Sequence, residues 1–244
     1  MNLRTTFAGL AALAALSLAG AARSADPAIE AAVHDPGRPA ADTARDAARK
    51  PAETLEFAKV HPGEVVLEIA PGGGYFTRLL SKAVGPSGHV YAVAPPEMQK
   101  AVAAIAADPA YANVSVIGPG PDEMAKVPPV DLVFTAQNYH DLHLTQLHLD
   151  VPAVDRGWLA LLKPGGYLLI VDHVALPGAP VTETADKLHR IDPAAARSEV
   201  VAAGFVFDGE SGVLRNPADP HTALVFDPSI RGHTDQFIYR FRKS

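Results

Sequence analysis

A doubly wound α/β domain with a mostly parallel, seven-stranded sheet is the fold that the sequence predicts. Continuous apolar runs alternate along the chain with segments of helical spacing, which is typical of βαβ units. A glycine-rich turn follows the first apolar run, at the position where such folds usually bind ligands. The length of 244 residues suits one substantial domain.

The apolar runs predict seven strands separated by helices or turns. In chain order they are VVLEIA, HVYAVA, VSVIG, VDLVFTAQ, YLLIVDH, FVFDGESGV and DQFIYRFRK. Helical spacing is clearest in YFTRLLSKAV, in PEMQKAVAAIAAD and around Trp158, where the segment leads into a KPGG turn. A long Pro-rich loop joins the last two strands.

Residues 25–60 predict an N-terminal helical cap in front of the main domain, which we assign to residues 61–244. Three Ala-rich helical pieces alternate there with helix breakers. Pro51 stands at a favourable first helical position. The cap is too short to be a separate domain.

Residues 1–24 have the pattern of a secretory signal peptide. One early Arg precedes an apolar run from about Phe7 to Ala19, and small residues precede Ala25. An uncleaved anchor or an amphipathic helix is the alternative. We therefore expect a periplasmic or secreted protein, with no stable membrane insertion after cleavage of the signal.

Composition excludes several classes of function. The formal net charge of −6 argues against a nucleic-acid-binding protein, because no basic stripe could replace phosphate counterions. The sequence has no Cys, which excludes disulfides, thiolate zinc sites and cysteine nucleophiles. A small-molecule substrate is the partner that we expect, and the sequence does not predict an oligomeric state.

The turn APGGGYFT does not match a phosphate-binding motif. A dinucleotide fingerprint needs a third glycine, but counting from Gly72 and Gly74 puts Thr77 there. A P-loop needs a Lys after the glycines, and none follows.

Glu68-x-Ala70-x-Gly72-x-Gly74 instead resembles the first motif of class I S-adenosylmethionine-dependent methyltransferases, which have a Rossmann-like fold. The segments VDLVFTAQNYHDLH and LLKPGGYLLIVDH resemble the fourth and fifth strands of that family. The resemblance covers about residues 50–243. The C-terminal segments resemble a group of exported predicted methyltransferases.

The resemblance implies S-adenosylmethionine as the cofactor and a set of residues that bind it. The backbone of residues 70–74, which includes Gly73, would face the methionine part, and Glu68 would contact it. Ala70 replaces a glycine, which is a mild change if its φ is negative. The family's ribose-binding acid is replaced by Ala94 and Pro95, so Glu97 is the nearest candidate. Asp122 is the candidate acid near the adenine.

Candidate catalytic residues follow the fourth strand, and they are Asn138, Tyr139, His140 and Asp141. With an unperturbed pKa near 6.5, His140 would be a general base, and Asp141 would orient or replace it. The alternative is that His140 and His143 only form hydrogen bonds at the end of the strand.

A metal site is a further alternative. His140, His143, Asp172 and His173 are residue types that suit zinc, but such a set is more often hydrogen-bonded together than metal-bound. We therefore assign no metal ligand from the sequence.

Paired charges recur near the carboxyl terminus, in the segments LHRID, LRNPADP and IRGHTDQ. Mutual ion pairs that fix the C-terminal loop are the favoured explanation. The alternative is that Arg190 or Arg215 binds an anionic substrate.

These features favour an S-adenosylmethionine-dependent methyltransferase that acts on a small molecule or an envelope component. An exported binding protein that keeps the fold without catalysis is the first alternative. A metal-assisted hydrolase that uses His140, His143 and Asp172 is the second.

Overall fold

The computed structural model describes residues 26–244. Within them, seven strands form one sheet in the order β3-β2-β1-β4-β5-β7-β6. Neighbours from β3 to β5 are parallel, and β7 is antiparallel to both β5 and β6. The strands are β1 Val65–Ile69, β2 His89–Val93, β3 Val114–Ile117, β4 Val130–Ala136, β5 Leu162–His173, β6 Val206–Ser211 and β7 Gln236–Arg242. The predicted fold class is confirmed. The predicted signal peptide lies outside the described residues.

Helices cover both faces of this sheet. They are α1 Pro27–Val33, α2 Ala40–Thr43, α3 Asp46–Arg49, α4 Pro51–Ala58, α5 Tyr75–Val84, α6 Pro96–Ala106, α7 Pro121–Met124, α8 Val151–Leu161, α9 Val181–Leu188 and α10 Pro193–Ala202. Asp26, Asp150 and Asp192 accept hydrogen bonds from backbone N–H groups in the first turns of α1, α8 and α10. Among the described residues no helix is both long and apolar enough to cross a membrane.

The core has one apolar cluster on each face of the sheet. Val66 of β1 and Phe134 of β4 belong to the cluster under α5, whereas Leu67 and Val133 belong to the cluster under α8 and α10. Successive residues of one strand therefore bury both faces. This explains why the parallel strands appear as unbroken apolar runs in the sequence.

The order of the strands determines where a ligand can bind. From β1 the chain first adds β2 and β3 on one side, and then returns to add β4 and β5 on the other. Neighbouring loops therefore separate at the carboxyl ends of β1 and β4. A crevice at this position is the usual ligand site of an open α/β sheet.

The fifth strand begins earlier than the sequence predicts. β5 includes the KPGG segment, with an irregularity between the pairs Val130–Leu162 and Leu132–Tyr167. Gly165 has a φ of +77° there, and a Cβ on Gly166 would lie 2.9 Å from the Asp131 carbonyl oxygen. The two glycines let the strand bulge where a turn was expected.

The N-terminal helices are fixed to α5 by ion pairs. Arg38 donates to both oxygens of Asp46, and the Tyr75 hydroxyl of α5 donates to the same carboxylate at 2.6 Å. Arg78 of α5 donates to Asp42 at 2.9 Å. These contacts hold α2 and α3 beside the start of α5, next to the crevice.

Candidate functional site

A cavity of about 310 Å³ lies at the crevice between the carboxyl ends of β1 and β4. The turn from Ile69 to Gly73 forms its floor, and the end of β4 with the segment after it forms one wall, through Ala136, Gln137, Asn138, His140 and Asp141. The cap contributes Arg45 and Arg49, and the C-terminal loop contributes Val225 and Phe226. Segments far apart in the sequence therefore enclose one space.

The glycine turn presents bare backbone to this cavity. Apart from the adjoining residues of the chain, no described protein atom lies within 4 Å of a Cβ built on Gly72 or Gly73. Gly74 is different, because a Cβ there would lie 2.1 Å from the Ile105 side chain. Gly74 therefore allows α5 to pack against α6, whereas Gly72 and Gly73 leave room for a ligand.

Ala70 has a φ of +49°, in the left-handed region. From the sequence, we expect alanine at this position to be a mild change only if its φ is negative. The φ is positive, so the Cβ of Ala70 causes steric strain. The Asn138 side chain donates to the Ala70 carbonyl at 3.0 Å and to the Ala136 carbonyl at 2.7 Å. Asn138 thus fixes the strained turn as well as lining the cavity.

Glu68 is the buried acid at the bottom of the cavity. Its side chain is 3% exposed, and its Oε2 has no hydrogen-bond partner among the described residues. Burial raises the pKa of this carboxyl to about 7. A cationic or hydrogen-bonding ligand group at Oε2 would relieve this unfavourable burial.

The two other acids proposed for cofactor binding do not line this cavity. Glu97 is exposed at the start of α6, where its neighbour Met98 faces the cavity instead. The Met98 sulfur accepts a hydrogen bond from the Gly72 N–H at 3.2 Å. Asp122 is exposed on α7.

A second, more apolar cavity of about 480 Å³ shares Ile69 with the first. Pro121 and Met124 of α7 line it, and so do Val93 at the end of β2 and Trp158 of α8. Asp122 therefore stands beside this second cavity.

Tyr139 points into the core, away from the cavity. It is fully buried, and its hydroxyl donates to Asp155 at 3.0 Å. Burial, together with the Asp155 and Glu199 carboxylates, raises the pKa of Tyr139. The ring packs near Trp158, so Tyr139, which the sequence suggested as a catalytic residue, is a core residue that does not line the cavity.

His140 forms a buried ion pair with Asp172. The two side chains are 2% and 0% exposed, and His140 Nδ1 lies 2.7 Å from Asp172 Oδ1. Burial alone would lower the pKa of His140, but Asp172 and Asp141 outweigh it and raise the pKa to about 10. The assumption of an unperturbed value near 6.5 is therefore wrong, and His140 is charged at neutral pH.

The four side chains considered as an alternative metal site do not point to one common position. His143 turns to Glu199, with Nε2 and Oε2 3.0 Å apart, and His173 bonds to the Thr234 hydroxyl at 2.7 Å. Burial lowers the pKa of His173 to about 4. The structure instead brings His189 of the C-terminal half to His140 and Asp141 at the cavity wall.

Arg45 and Arg49 are site residues that the sequence interpretation missed. The Arg49 guanidinium stacks 4.7 Å from the Tyr75 ring centre and donates to the Gln137 side chain at 2.6 Å. Burial lowers the pKa of Arg49 to about 10. The two arginines are four apart in the sequence, a spacing that could have indicated one helical face.

The charged side chains near the carboxyl terminus pair with one another, which is the explanation that the sequence favours. Arg190 is fully buried, and its guanidinium donates to both oxygens of Asp219 and to the Val174 carbonyl. Arg215 donates to both oxygens of Asp235. These pairs fix the loop that carries Phe226 to the cavity.

Comparison with known proteins identifies the family. The family model described as protein-L-isoaspartate(D-aspartate) O-methyltransferase (PCMT) matches residues 40–174, more than half of the chain. The chain belongs to this family. Its match includes the cap arginines, the glycine turn and the segment after β4.

One curated relative is similar in sequence, and two solved structures share the fold. The ubiquinone/menaquinone biosynthesis C-methyltransferase UbiE of Ectopseudomonas mendocina is 28% identical over 197 residues, which are 75% of this chain and 64% of the relative. A SAM-dependent methyltransferase from Aquifex aeolicus has a TM-score of 0.58 at 20% identity, over 82% of this chain and 93% of that one.

Fibrillarin of Aeropyrum pernix, solved with natively bound S-adenosylmethionine, has a TM-score of 0.53 at 16% identity, over 81% of this chain and 76% of that one. The family is one of methyltransferases, and the fold is the one that S-adenosylmethionine-dependent methyltransferases share, whereas the chain covers less than two thirds of the length of its curated relative.

The residues at the cavity fit this cofactor at its methionine end. Glu68 offers a buried oxygen without a partner, and Gly72 and Gly73 leave open space beside the backbone. The ribose end lacks an acid where the family resemblance implies one, since Ala94 is fully buried and Glu97 is exposed.

Proposed function

We propose that the chain methylates a small molecule, or the small head of an envelope component, in the cavity beside Glu68. The observation that carries this proposal is the unpaired, buried Oε2 of Glu68 next to the bare backbone of Gly72 and Gly73. Burying a carboxyl group without a hydrogen-bond partner costs free energy, and a ligand that forms the missing hydrogen bond would remove this cost.

The methionine end of the cofactor would lie between opposite charges. Glu68 would accept from its ammonium group, and Arg45 and Arg49 would face its carboxylate from the cap. When bound, S-adenosylmethionine supplies an electrophilic methyl group. The apolar cavity between Val93 and Trp158 suits an aromatic base, which needs burial more than hydrogen bonds.

The acceptor would enter on the side of His140 and the C-terminal loop. Asp141 and His189 line this side with polar atoms, whereas Val225 and Phe226 make it apolar. Phe226 is 55% exposed and stands at the mouth of the cavity. Such a lining suits an acceptor with one ionisable group on an apolar body.

We also propose that the mature protein acts outside the cytosol, because residues 1–24 have the pattern of a secretory signal. Fractionation of expressing cells and the intact mass of the product test this. A cytosolic protein that keeps Met1 would contradict it.

Calorimetric titration of S-adenosylmethionine into the purified protein tests the proposed site. We expect binding that Glu68→Ala abolishes and that Glu64→Ala leaves unchanged. Glu64 is the matched control, because it precedes β1 at the opposite end and its side chain accepts only from the His61 N–H among the described residues. Equal affinity in the Glu68→Ala variant would contradict the assignment.

An exported binding protein that has lost catalysis is a second candidate. The missing ribose acid favours it, since each lost charge-assisted hydrogen bond weakens binding by about 1.5–3 kcal/mol. Absence of S-adenosylmethionine binding at millimolar concentration, in a folded sample, would favour this candidate.

A further inference from the structure

Two imidazole nitrogens and one carboxylate oxygen at the cavity wall form a nearly equilateral triangle. His140 Nε2 lies 3.1 Å from Asp141 Oδ1 and 3.2 Å from His189 Nδ1. The third edge, from His189 Nδ1 to Asp141 Oδ1, is 3.3 Å. His140 and Asp141 follow β4, whereas His189 ends α9, so the sheet and a separate helix bring these atoms together.

The triangle has the size that a zinc ion requires. Zinc lies about 2.0–2.1 Å from imidazole nitrogen and carboxylate oxygen, so two ligands of a tetrahedral ion are about 3.3 Å apart. We propose that His140, Asp141 and His189 bind a divalent cation of the zinc type. Two imidazoles and one carboxylate favour such a cation over Mg²⁺ or Ca²⁺, which prefer oxygen ligands.

Asp172 prepares His140 for this role. Its Oδ1 lies 2.7 Å from His140 Nδ1, and its Oδ2 accepts from the His140 backbone N–H at 2.7 Å. The ring is therefore held with Nε2 directed at the triangle. A carboxylate on the far nitrogen of a histidine ligand is the usual support of a metal site. His140 Nε2 lies within 3.2 Å of both Asp141 Oδ1 and His189 Nδ1.

The proposed ion would have a free position towards the cavity. All three ligand residues line the cavity, and three protein ligands leave a fourth position for a ligand from solution. A hydroxyl or thiol bound there would lose its proton at lower pH, which makes it a better methyl acceptor. This role rests on the proposed function, whereas the metal site itself does not.

Metal titration of the untagged full-length protein tests the site. After treatment with a chelator, we expect one Zn²⁺ per chain, and visible absorption of bound Co²⁺ that indicates four-coordinate geometry. His189→Ala should weaken binding by more than the ~10–100-fold that loss of a supporting carboxylate costs. His143→Gln is the matched control, because His143 bonds to Glu199 outside the triangle.

Zinc affinity that is unchanged in His189→Ala, or lost equally in the folded His143→Gln variant, would overturn the inference. So would a wild-type protein that binds no zinc. Titrating S-adenosylmethionine into the chelator-treated protein separates this result from the proposed function. Cofactor binding without zinc binding would overturn only the metal site, and zinc binding without cofactor binding would overturn only the proposed function.

Discussion

His140 and Asp172 form a deeply buried ion pair beside the cavity, with 2.7 Å between His140 Nδ1 and Asp172 Oδ1. The pair joins the ends of β4 and β5 below the cavity. Asp172 also accepts from the backbone N–H groups of His140 and His173. One carboxylate thus fixes both the ring and the backbone that follows β4.

Asp172→Asn should lower the free energy of unfolding by roughly 3–5 kcal/mol, because it leaves a buried imidazolium without its partner. Urea denaturation of chelator-treated protein measures the change. Asp186→Asn is the control, since that exposed carboxylate only accepts from Thr145, and its midpoint should not move. A change in Asp172→Asn no larger than in the control would contradict the proposed importance of the pair.

The same pair predicts a dependence of stability on pH. The pKa of His140 is raised to about 10 in the folded protein, so its contribution is complete below pH 6.5 and is lost as pH rises towards 10. Burial would raise the pKa of Asp172, but His140 lowers it, so its contribution is lost only in strong acid. The wild-type urea midpoint should fall above neutral pH, and this fall should be smaller in Asp172→Asn, where Asp141 is the remaining carboxylate beside His140.

Glu68→Gln should stabilise the protein at neutral and alkaline pH. The buried acid has a pKa of about 7, against 4.5 when unfolded, so the native state holds a proton that the unfolded chain releases. Wild-type stability therefore falls by roughly 1.4 kcal/mol per pH unit across that interval. The difference from the variant should vanish at pH 4 and reach roughly 3 kcal/mol at pH 8. Equal urea midpoints at pH 8 would contradict the burial argument.

Ala70→Gly should raise the melting temperature by about 2–4 °C, equivalent to about 1 kcal/mol at this chain length. The reason is the φ of +49°, which glycine adopts without steric strain. Ala94→Gly is the opposite control, because this buried alanine has no positive φ and its substitution should lower the melting temperature. Parallel decreases in both variants would contradict the assigned strain.

Substitution of Gly73 should affect ligand binding, whereas substitution of the adjacent Gly74 should affect folding. Gly73→Ala places a methyl group in open cavity space, so we expect weaker S-adenosylmethionine binding with an unchanged melting temperature. Gly74→Ala should instead destabilise the fold, because its Cβ meets Ile105 at a φ of +80°. Calorimetry and thermal denaturation of both variants test this division, and a Gly73→Ala variant with wild-type affinity would contradict it.

The strands of the sheet could be predicted from the sequence because each is an apolar run between turn residues. VVLEIA and YLLIVDH are buried on both faces, so their composition carries the information. The placement of β7 between β5 and β6 has no such local signal. It depends on pairing between strands that a Pro-rich loop separates.

Residues of the site could be predicted only where they belong to one continuous sequence motif. Glu68, Gly72 and Gly73 are such a case, since the motif and the turn coincide. Arg49 and His189 reach the cavity from the cap and from the end of α9, through contacts made only in the folded chain. Tyr139 shows the opposite error, because a residue next to His140 in the sequence points into the core.

The cavity has walls from both ends of the described chain, with Arg49 on one side and Phe226 on the other. A ligand that fills it therefore acts as a reversible cross-link between the cap and the C-terminal loop. Protease sensitivity of these two segments should decrease together when the ligand binds. A fragment that begins at residue 61 would keep the glycine turn but lose one wall, so the smallest unit that can retain its ligand is larger than the sheet and its covering helices.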